Sequence, residues 1–207
     1  METCKIGNEV FKIVQDNYSQ ETSREWDNLG IMYCKHKKYG LGDHGILIEQ
    51  IKKATSECES WSEVMTILKK DFKAIEILPL YLYDHSGISI SAGKEYPFND
   101  RWDSMTIGFI FTTEEKIKEM GVNKKNNEIK DQLEAEVETY NMDLNGVKYG
   151  YQHIKIKKCK CCEHETEEVI DSCGGFYGYD VKKSGIYDAM PEKFQKALDQ
   201  GKFKEVV

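Results

Sequence analysis

The spacing of apolar side chains predicts a central strand in the first half of the chain. Residues 75–83 form an apolar and aromatic run of the length expected for an interior strand. Pro79 lies inside this run and lacks the N–H of a ladder position, so the strand should begin near Pro79, lie at an edge there or carry a bulge. The sequence Asp-His-Ser-Gly at 84–87 then predicts a tight turn. Ile88 and Ile90 alternate with serines, which predicts a short hairpin partner.

Apolar positions that recur at intervals of three and four residues predict helices before and after this strand. They are expected at 43–54 with Asp43 as the N-terminal cap, at 61–72, at 114–120, at 129–140 and in a final helix with Pro191 in its first turn. Capping-box patterns at 60–63 and 112–115 mark the beginnings of the second and third helices. About four of these helices should flank the sheet.

Further strands are predicted by runs rich in β-branched, apolar and aromatic residues at 31–36, 105–111, 147–156 and 167–173, whereas 9–15 could begin a strand or a helix. Asn145-Gly146 is the strongest turn signal. The apolar parity changes after Tyr151, which predicts a bulge near residue 152, and residues 159–165 should form a Cys-rich hairpin tip. Because strands and helices follow one another without regular β-α-β alternation, we expect a single α+β domain over residues 1–207 with a mainly antiparallel sheet.

The net charge and the cysteine content limit the classes of function that fit this chain. The 207 residues carry a net charge of −7, which argues against binding of nucleic acid over an extended surface, since such binding needs many lysine and arginine contacts to phosphates. No stretch approaches the roughly 20 apolar residues of a membrane span, and the N-terminus lacks the apolar segment of a signal peptide, so we expect a cytoplasmic protein. The seven cysteines favour reduced thiols or a metal site over an extracellular disulfide framework.

Several short motifs occur together between roughly residues 24 and 180. They are WDNLG at 26–30, KYGLGD at 38–43, the strand and turn at 78–88, WDS at 102–104, GFI at 108–110, EVETY at 136–140 and DSCGGFYG at 171–178. Together they resemble a family of small, functionally unassigned accessory proteins of bacteriophages and mobile elements. The resemblance implies a protein that is made in the host cytoplasm and blocks a bacterial defence, and it carries over no catalytic role. The Cys-rich segment at 159–164 is not part of the resembling pattern.

Acid–base or metal chemistry is one interpretation of the turn at 84–87. Asp84, His85 and the adjacent serine cannot form a nucleophilic triad, because those roles require separate backbone positions that converge in space. A catalytic site would instead gather Asp84 and His85 with Asp103, Asp27 or His44 from other turns. The alternative is that the aspartates bond backbone groups in turns and that the neighbouring tryptophans belong to the core.

A second candidate is a zinc site in the Cys-rich hairpin. Cys159, Cys161, Cys162 and His164, with Cys173 on the return strand, are the ligand types of a tetrahedral zinc centre. Four protein ligands would leave no open position, so such a centre would hold the hairpin together and perform no catalysis. The alternative is an exposed hairpin tip with redox-sensitive thiols.

A third candidate is a surface for protein binding, since aromatic side chains tend to anchor protein contacts. Tyr83, Phe176, Tyr177 and Tyr179 would form it, or would pack in the core. Lysines near 35–38 and 155–160 could meet phosphates or form a solvated strand face.

The leading hypothesis is a non-enzymatic protein that inhibits a host defence component, in the manner of an anti-CRISPR protein, by direct binding around the turns at 84–87 and 174–179. It requires no cofactor and leaves homo-oligomerisation open. The alternatives are a small metal-dependent enzyme that acts on a nucleotide or nucleic acid through Asp84, His85 and Asp103, and a protein that sequesters a nucleotide signal. The latter needs a deep pocket in which lysine and aromatic side chains converge.

Overall fold

The computed structural model describes residues 2–17, 21–93, 95–97, 102–122 and 126–205. Its strands are β1 (Glu2–Ile6), β2 (Glu9–Gln15), β3 (Ile31–Cys34), β4 (Ala74–Asp84), β5 (Ile88–Ala92), β6 (Ser104–Thr113), β7 (Lys148–Lys158), β8 (Glu165–Tyr177) and β9 (Lys204–Glu205). Its helices are α1 (Ile46–Ala54), α2 (Trp61–Asp71), α3 (Glu114–Glu119), α4 (Asn126–Leu144), α5 (Ile186–Ala189) and α6 (Glu192–Asp199). All strand pairs among the described residues are antiparallel, which confirms the α+β class.

The strands are divided between two sheets, whereas the sequence predicts one. The first compact unit comprises Met1–Gln20 and Gly146–Val207, and its sheet has the order β8-β7-β2-β1-β9. The second unit comprises Glu21–Asn145, and its sheet has the order β3-β6-β4-β5. The single domain over residues 1–207 that the sequence indicates stays a prediction.

The sheet of the second unit is covered by helices on both faces. On one face, Leu78, Leu80 and Leu82 of β4 pack against the buried stripe of α4 that includes Leu133 and Val137. On the other face, buried aromatic side chains of β3 and β6 pack against α1 and α2. Strand β4 is therefore apolar on both faces, which explains why its sequence reads as a nearly continuous hydrophobic run.

Pro79 lies where the sheet has an edge and next to a bulge. Strand β5 ends at Ala92, opposite Leu80, and on that side the Pro79 carbonyl accepts only the Gly93 N–H, at 3.3 Å, among the contacts of the described residues. The register between β4 and β6 shifts between Leu80 and Tyr81. In the turn that follows, Ser86 has φ 57° and Gly87 has φ 148°. The strand, the tight turn and the short hairpin partner are thus confirmed.

Of the three predicted helix caps, the one at Ser60 is present, the one in the 112–115 pattern lies one residue later, at Thr113 instead of Thr112, and the one at Asp43 is wrong. The Ser60 side chain accepts from the Glu63 N–H, and the Thr113 side chain accepts from an N–H in the first turn of α3. Asp43 does not cap α1, which begins after Gly45. The reason is that the Asp43 carboxylate already accepts hydrogen bonds from the Arg24 guanidinium and from a backbone N–H of β3.

The first unit packs one face of its sheet on α5 and α6. The ring of Phe11 in β2 stacks on Tyr151 of β7 at 5.1 Å and contacts Phe194 of α6 at 5.5 Å. The bulge predicted near residue 152 is confirmed only in part: the register between β7 and β8 shifts after His153, but the extra residue, Ile170, belongs to β8, and β7 pairs with β2 without interruption. Most of β8 is exposed, along with the hairpin tip that precedes it.

In the part of the chain that the structure describes, no helix combines the length and the apolar character needed to cross a bilayer.

Candidate functional site

The ends of two neighbouring strands bring Asp84, His85 and Asp103 together. Strand β4 ends at Asp84, and its partner β6 begins one residue after Asp103. The Asp84 N–H donates to the Asp103 carbonyl at 2.8 Å, which extends the ladder by one residue before the beginning of β6. We call the exposed end of this strand pair the turn surface and define it as Tyr83, Asp84, His85, Trp102 and Asp103.

A hydrogen-bonded imidazole and carboxylate form the polar centre of the turn surface. His85 Nδ1 lies 2.8 Å from Asp103 Oδ2, and both side chains are more than one-third exposed. Of the partners considered for His85 from sequence, the structure therefore selects Asp103. Asp27 lines a separate cavity with residues of α4, and His44 lines another cavity beside β3.

Asp84 forms hydrogen bonds with side chains of a distant loop, which local sequence patterns could not predict. Its carboxylate accepts from the Tyr39 hydroxyl at 3.0 and 3.1 Å and from Lys38 Nζ at 3.4 Å. The Tyr39 ring stacks on His36 at 5.1 Å. Hydrogen bonding to Tyr39 and then to Asp84 raises the pKa of Lys38. Asp84 is thus linked to side chains of the loop after β3, where the alternative interpretation expected bonds to the backbone of its own turn.

Apolar side chains around the polar centre are unusually accessible. Trp102 is 94 % exposed, and Met105 at the beginning of β6 is 48 % exposed. The ring of Tyr83 is half-buried, with its centroid 6.1 Å from that of His85. The interpretation of Trp102 as a core residue is therefore wrong, and the turn surface combines aromatic area with a charged centre.

The chemistry open to the turn surface is acid–base chemistry. A histidine oriented by a carboxylate can accept or donate a proton at its other ring nitrogen. Among the residues that the structure describes, the only group of three His, Cys, Asp or Glu ligand atoms close enough for one ion lies elsewhere, at Cys159, Cys161 and Cys162. The described residues of the turn surface therefore do not include the three close ligands that a metal-dependent enzyme would need.

A cavity of about 450 Å³ lies beside the loop that holds Asp84. Its walls include Lys35, His36, Tyr39, His44 and Lys52. Its volume is in the range of small-molecule sites, and its lining brings together lysine and aromatic side chains. Lys52 also forms an ion pair with Glu49 at 2.7 Å, which reduces the positive charge available to a ligand.

The cysteines of the hairpin tip are only partly assembled as the sequence predicts. The Sγ atoms of Cys159, Cys161 and Cys162 lie within 4.8 Å of one another, a metal-binding arrangement. His164 is not in this group. Cys173 lies opposite Tyr151 in the ladder between β7 and β8. At about 3.3 Å per residue, this position is about 25 Å along β8 from the tip. Cys173 therefore cannot complete the site.

The thiols of Cys159 and Cys161 influence each other's ionisation. Cys159 Sγ lies 2.9 Å from Cys161 Sγ. Hydrogen bonding from the Cys161 thiol lowers the pKa of Cys159 to about 7, with smaller contributions from the backbone and from Cys162. The same contact raises the pKa of Cys161. The lowered pKa increases the thiolate fraction of Cys159 near neutral pH, and the thiolate is the form that binds metals and is oxidised.

The aromatic residues predicted for protein binding have different surroundings. Phe176 packs against the core of the first unit, with its ring 5.9 Å from that of Tyr151. Tyr177 is half-buried and carries Lys148 Nζ over its ring at 5.4 Å. Tyr179 is 78 % exposed. Tyr179 is the member of this set whose ring is most available to a partner.

The chain matches no protein-family model, and no curated protein or solved structure is significantly similar to it.

Proposed function

We propose that this protein is a phage accessory protein that acts in the host cytoplasm, where it binds a host defence protein and inhibits it. The turn surface is the proposed contact. The observation that supports it most is the 94 % exposure of Trp102 next to the hydrogen-bonded pair of His85 and Asp103. Tryptophan is among the residues that contribute most to protein interfaces, and an exposed aromatic ring that a partner would bury is typical of a binding hot spot.

The charges around Trp102 favour a partner with a basic contact region. Asp84 and Asp103 both lie on the turn surface, and the chain as a whole has a net charge of −7. Lys38 contacts Asp84 at 3.4 Å, but its side chain is 67 % exposed, so the ion pair is weak. Complementary charges at the edge of an interface mainly accelerate association, and we expect binding to slow as salt concentration rises.

Replacement of Trp102 by alanine is the direct test. The protein and its variants are expressed in bacterial strains that each carry one defence system, and phage plating efficiency is measured. We expect the wild-type protein to restore plating in at least one strain and the Trp102→Ala variant to fail. With the purified defence protein, a hot-spot loss of about 2 kcal/mol or more corresponds to a Kd raised roughly 30-fold.

The matched control is Trp26→Ala, which removes a second exposed tryptophan of the same unit from a different surface. Trp26→Ala should bind as the wild-type protein does. If no strain regains plating, or if both variants lose binding equally, binding through the turn surface is ruled out.

A second candidate function is acid–base catalysis by His85 with Asp103 as its orienting carboxylate, and the 2.8 Å contact between them favours it. The substrate would be a nucleotide or nucleic acid. The Asp103→Asn variant removes the carboxylate while keeping the shape of the side chain, so a hydrolytic rate should fall at least about 100-fold. The same variant should change the affinity for a host protein far less than Trp102→Ala does.

The two functions are separated by assaying both variants against a panel of nucleotides and oligonucleotides and against the captured defence protein. Turnover that is lost in Asp103→Asn assigns the site to catalysis. Binding that is lost in Trp102→Ala, without turnover by the wild-type protein, assigns it to inhibition.

The proposed inhibition requires no cofactor. We propose metal binding at the hairpin tip as a separate property, since the thiols of that tip belong to the other compact unit.

A further inference from the structure

The hairpin tip between β7 and β8 presents three thiols at one point. Cys159, Cys161 and Cys162 each contribute one sulfur, and these atoms lie within 4.8 Å of one another. Cys161 and Cys162 are exposed, and Cys159 is half-buried. An ion can therefore reach all three without any opening of the fold.

The backbone of the tip is held in place around the sulfurs. The Cys159 N–H donates to the His164 carbonyl at 2.9 Å, and the Glu163 N–H donates to the Cys159 carbonyl at 3.0 Å. Below the tip, Lys158 pairs with Glu165 across the two strands at 3.0 Å. Because the turn is closed by its own hydrogen bonds, the thiols are brought together before any ligand binds.

The number of ligands distinguishes this site from the zinc centre expected from sequence. Cys173 is too far along β8, and the group of close ligands in the described chain does not include His164. Structural zinc sites almost always have four protein ligands. Three thiolates without a fourth protein ligand are better matched to a soft monovalent ion that is stable with three sulfur neighbours.

We propose that Cys159, Cys161 and Cys162 bind one Cu⁺ ion through three thiolates. With metal–sulfur distances of about 2.3 Å, three sulfurs around one ion lie about 4 Å apart, so the observed cluster needs only small side-chain rotations. Thiolates select soft ions such as Cu⁺, and divalent hard ions would not compete. The site does not depend on the function proposed for the turn surface.

The test is an anaerobic titration of the reduced full-length chain with Cu⁺ delivered from a chromophoric chelator. We expect one equivalent of Cu⁺ to be withdrawn from the chelator and copper X-ray absorption to show three sulfur neighbours. The double variant Cys159→Ser/Cys161→Ser leaves one thiol in the tip and should lose at least 100-fold in affinity. Cys173→Ser removes an exposed thiol of the same hairpin outside the trio, and it should bind as the wild-type chain does.

His164→Ala decides between three and four protein ligands. We expect it to leave Cu⁺ affinity unchanged within about twofold. One equivalent of Zn²⁺ that outcompetes Cu⁺ and is lost in His164→Ala would overturn the proposal in favour of the four-ligand zinc centre. Zn²⁺ binding that is tighter than Cu⁺ binding and is retained in His164→Ala would overturn the choice of ion. Two sulfur neighbours, or equal loss in Cys173→Ser, would overturn the assignment of the trio.

Discussion

Replacement of Glu136 by glutamine should lower the free energy of unfolding by about 3–5 kcal/mol, the range for breaking a buried ion pair. The Glu136 carboxylate on α4 accepts from the backbone N–H groups of Leu29 and Gly30 at 2.9 and 3.0 Å. It also lies 3.4 Å from the guanidinium of Arg24, whose side chain is 4 % exposed. Glutamine would remove a charge that Arg24 needs and would present an amide donor to backbone donors.

The Arg24 guanidinium would keep one carboxylate, because Asp43 accepts from it at 2.7 and 3.1 Å. Arg24 would therefore stay paired in the glutamine variant. The backbone N–H groups of Leu29 and Gly30, however, would share at most one acceptor atom, the amide oxygen. A buried donor without an acceptor costs about 1–3 kcal/mol. The loop that leads into β3 should consequently be the first segment of the second unit to lose protection against hydrogen exchange.

Urea unfolding followed by circular dichroism measures the effect. Glu138→Gln is the matched control, since Glu138 lies on the same helix and is exposed. It should change stability by less than about 0.5 kcal/mol. Equal midpoints for the two variants would show that the buried carboxylate contributes nothing specific.

Replacement of Gly108 by alanine should destabilise the second unit by about 3 kcal/mol or more, because an added methyl group would overlap main-chain atoms. Gly108 lies in β6 opposite Cys34 of β3. A Cβ at this position would overlap the Tyr33 carbonyl oxygen and lie 2.9 Å from its carbonyl carbon. Those atoms belong to the paired strand, so rotation of a side chain cannot relieve the overlap and β3 would have to move.

Thermal unfolding of the variant is compared with that of Gly40→Ala, a position where an added Cβ has no atom within 4 Å. We expect a clear fall in the transition temperature for Gly108→Ala and almost none for Gly40→Ala. A wild-type transition in Gly108→Ala would mean that β3 and β6 can separate without cost.

Long patterns in the sequence were sufficient to predict the elements that the packing later confirmed. The helical stripe of α4 and the apolar run of β4 each extend over many residues, so local spacing determines them. Strand β1 (Glu2–Ile6) was missed, because five residues of mixed polarity carry little periodic signal and its strand pairing comes from β2 and β9.

Contacts between distant side chains could be predicted only where the side chains lie at the ends of two strands that pair. His85 and Asp103 flank two runs that both read as strands, so their proximity follows if those strands pair. Nothing local relates Tyr39 to Asp84, or Arg24 to Glu136, since these contacts join segments separated by 45 and 112 residues. Sequence patterns identify such residues as polar and leave their partners undetermined until the tertiary fold is known.

The interruption of the first unit by the second has a consequence for the order of synthesis. Strand β2 is made early, but its neighbour β7 begins only at Lys148, after the whole of Glu21–Asn145 has been translated. Until then β1 and β2 can form no more than a two-stranded hairpin, which is marginally stable in water. Phe11 is fully buried in the complete sheet, and it can be buried only after Tyr151 and Phe194 have been synthesised. On the ribosome, the continuous unit can therefore fold first, and the sheet formed from both ends of the chain is completed last.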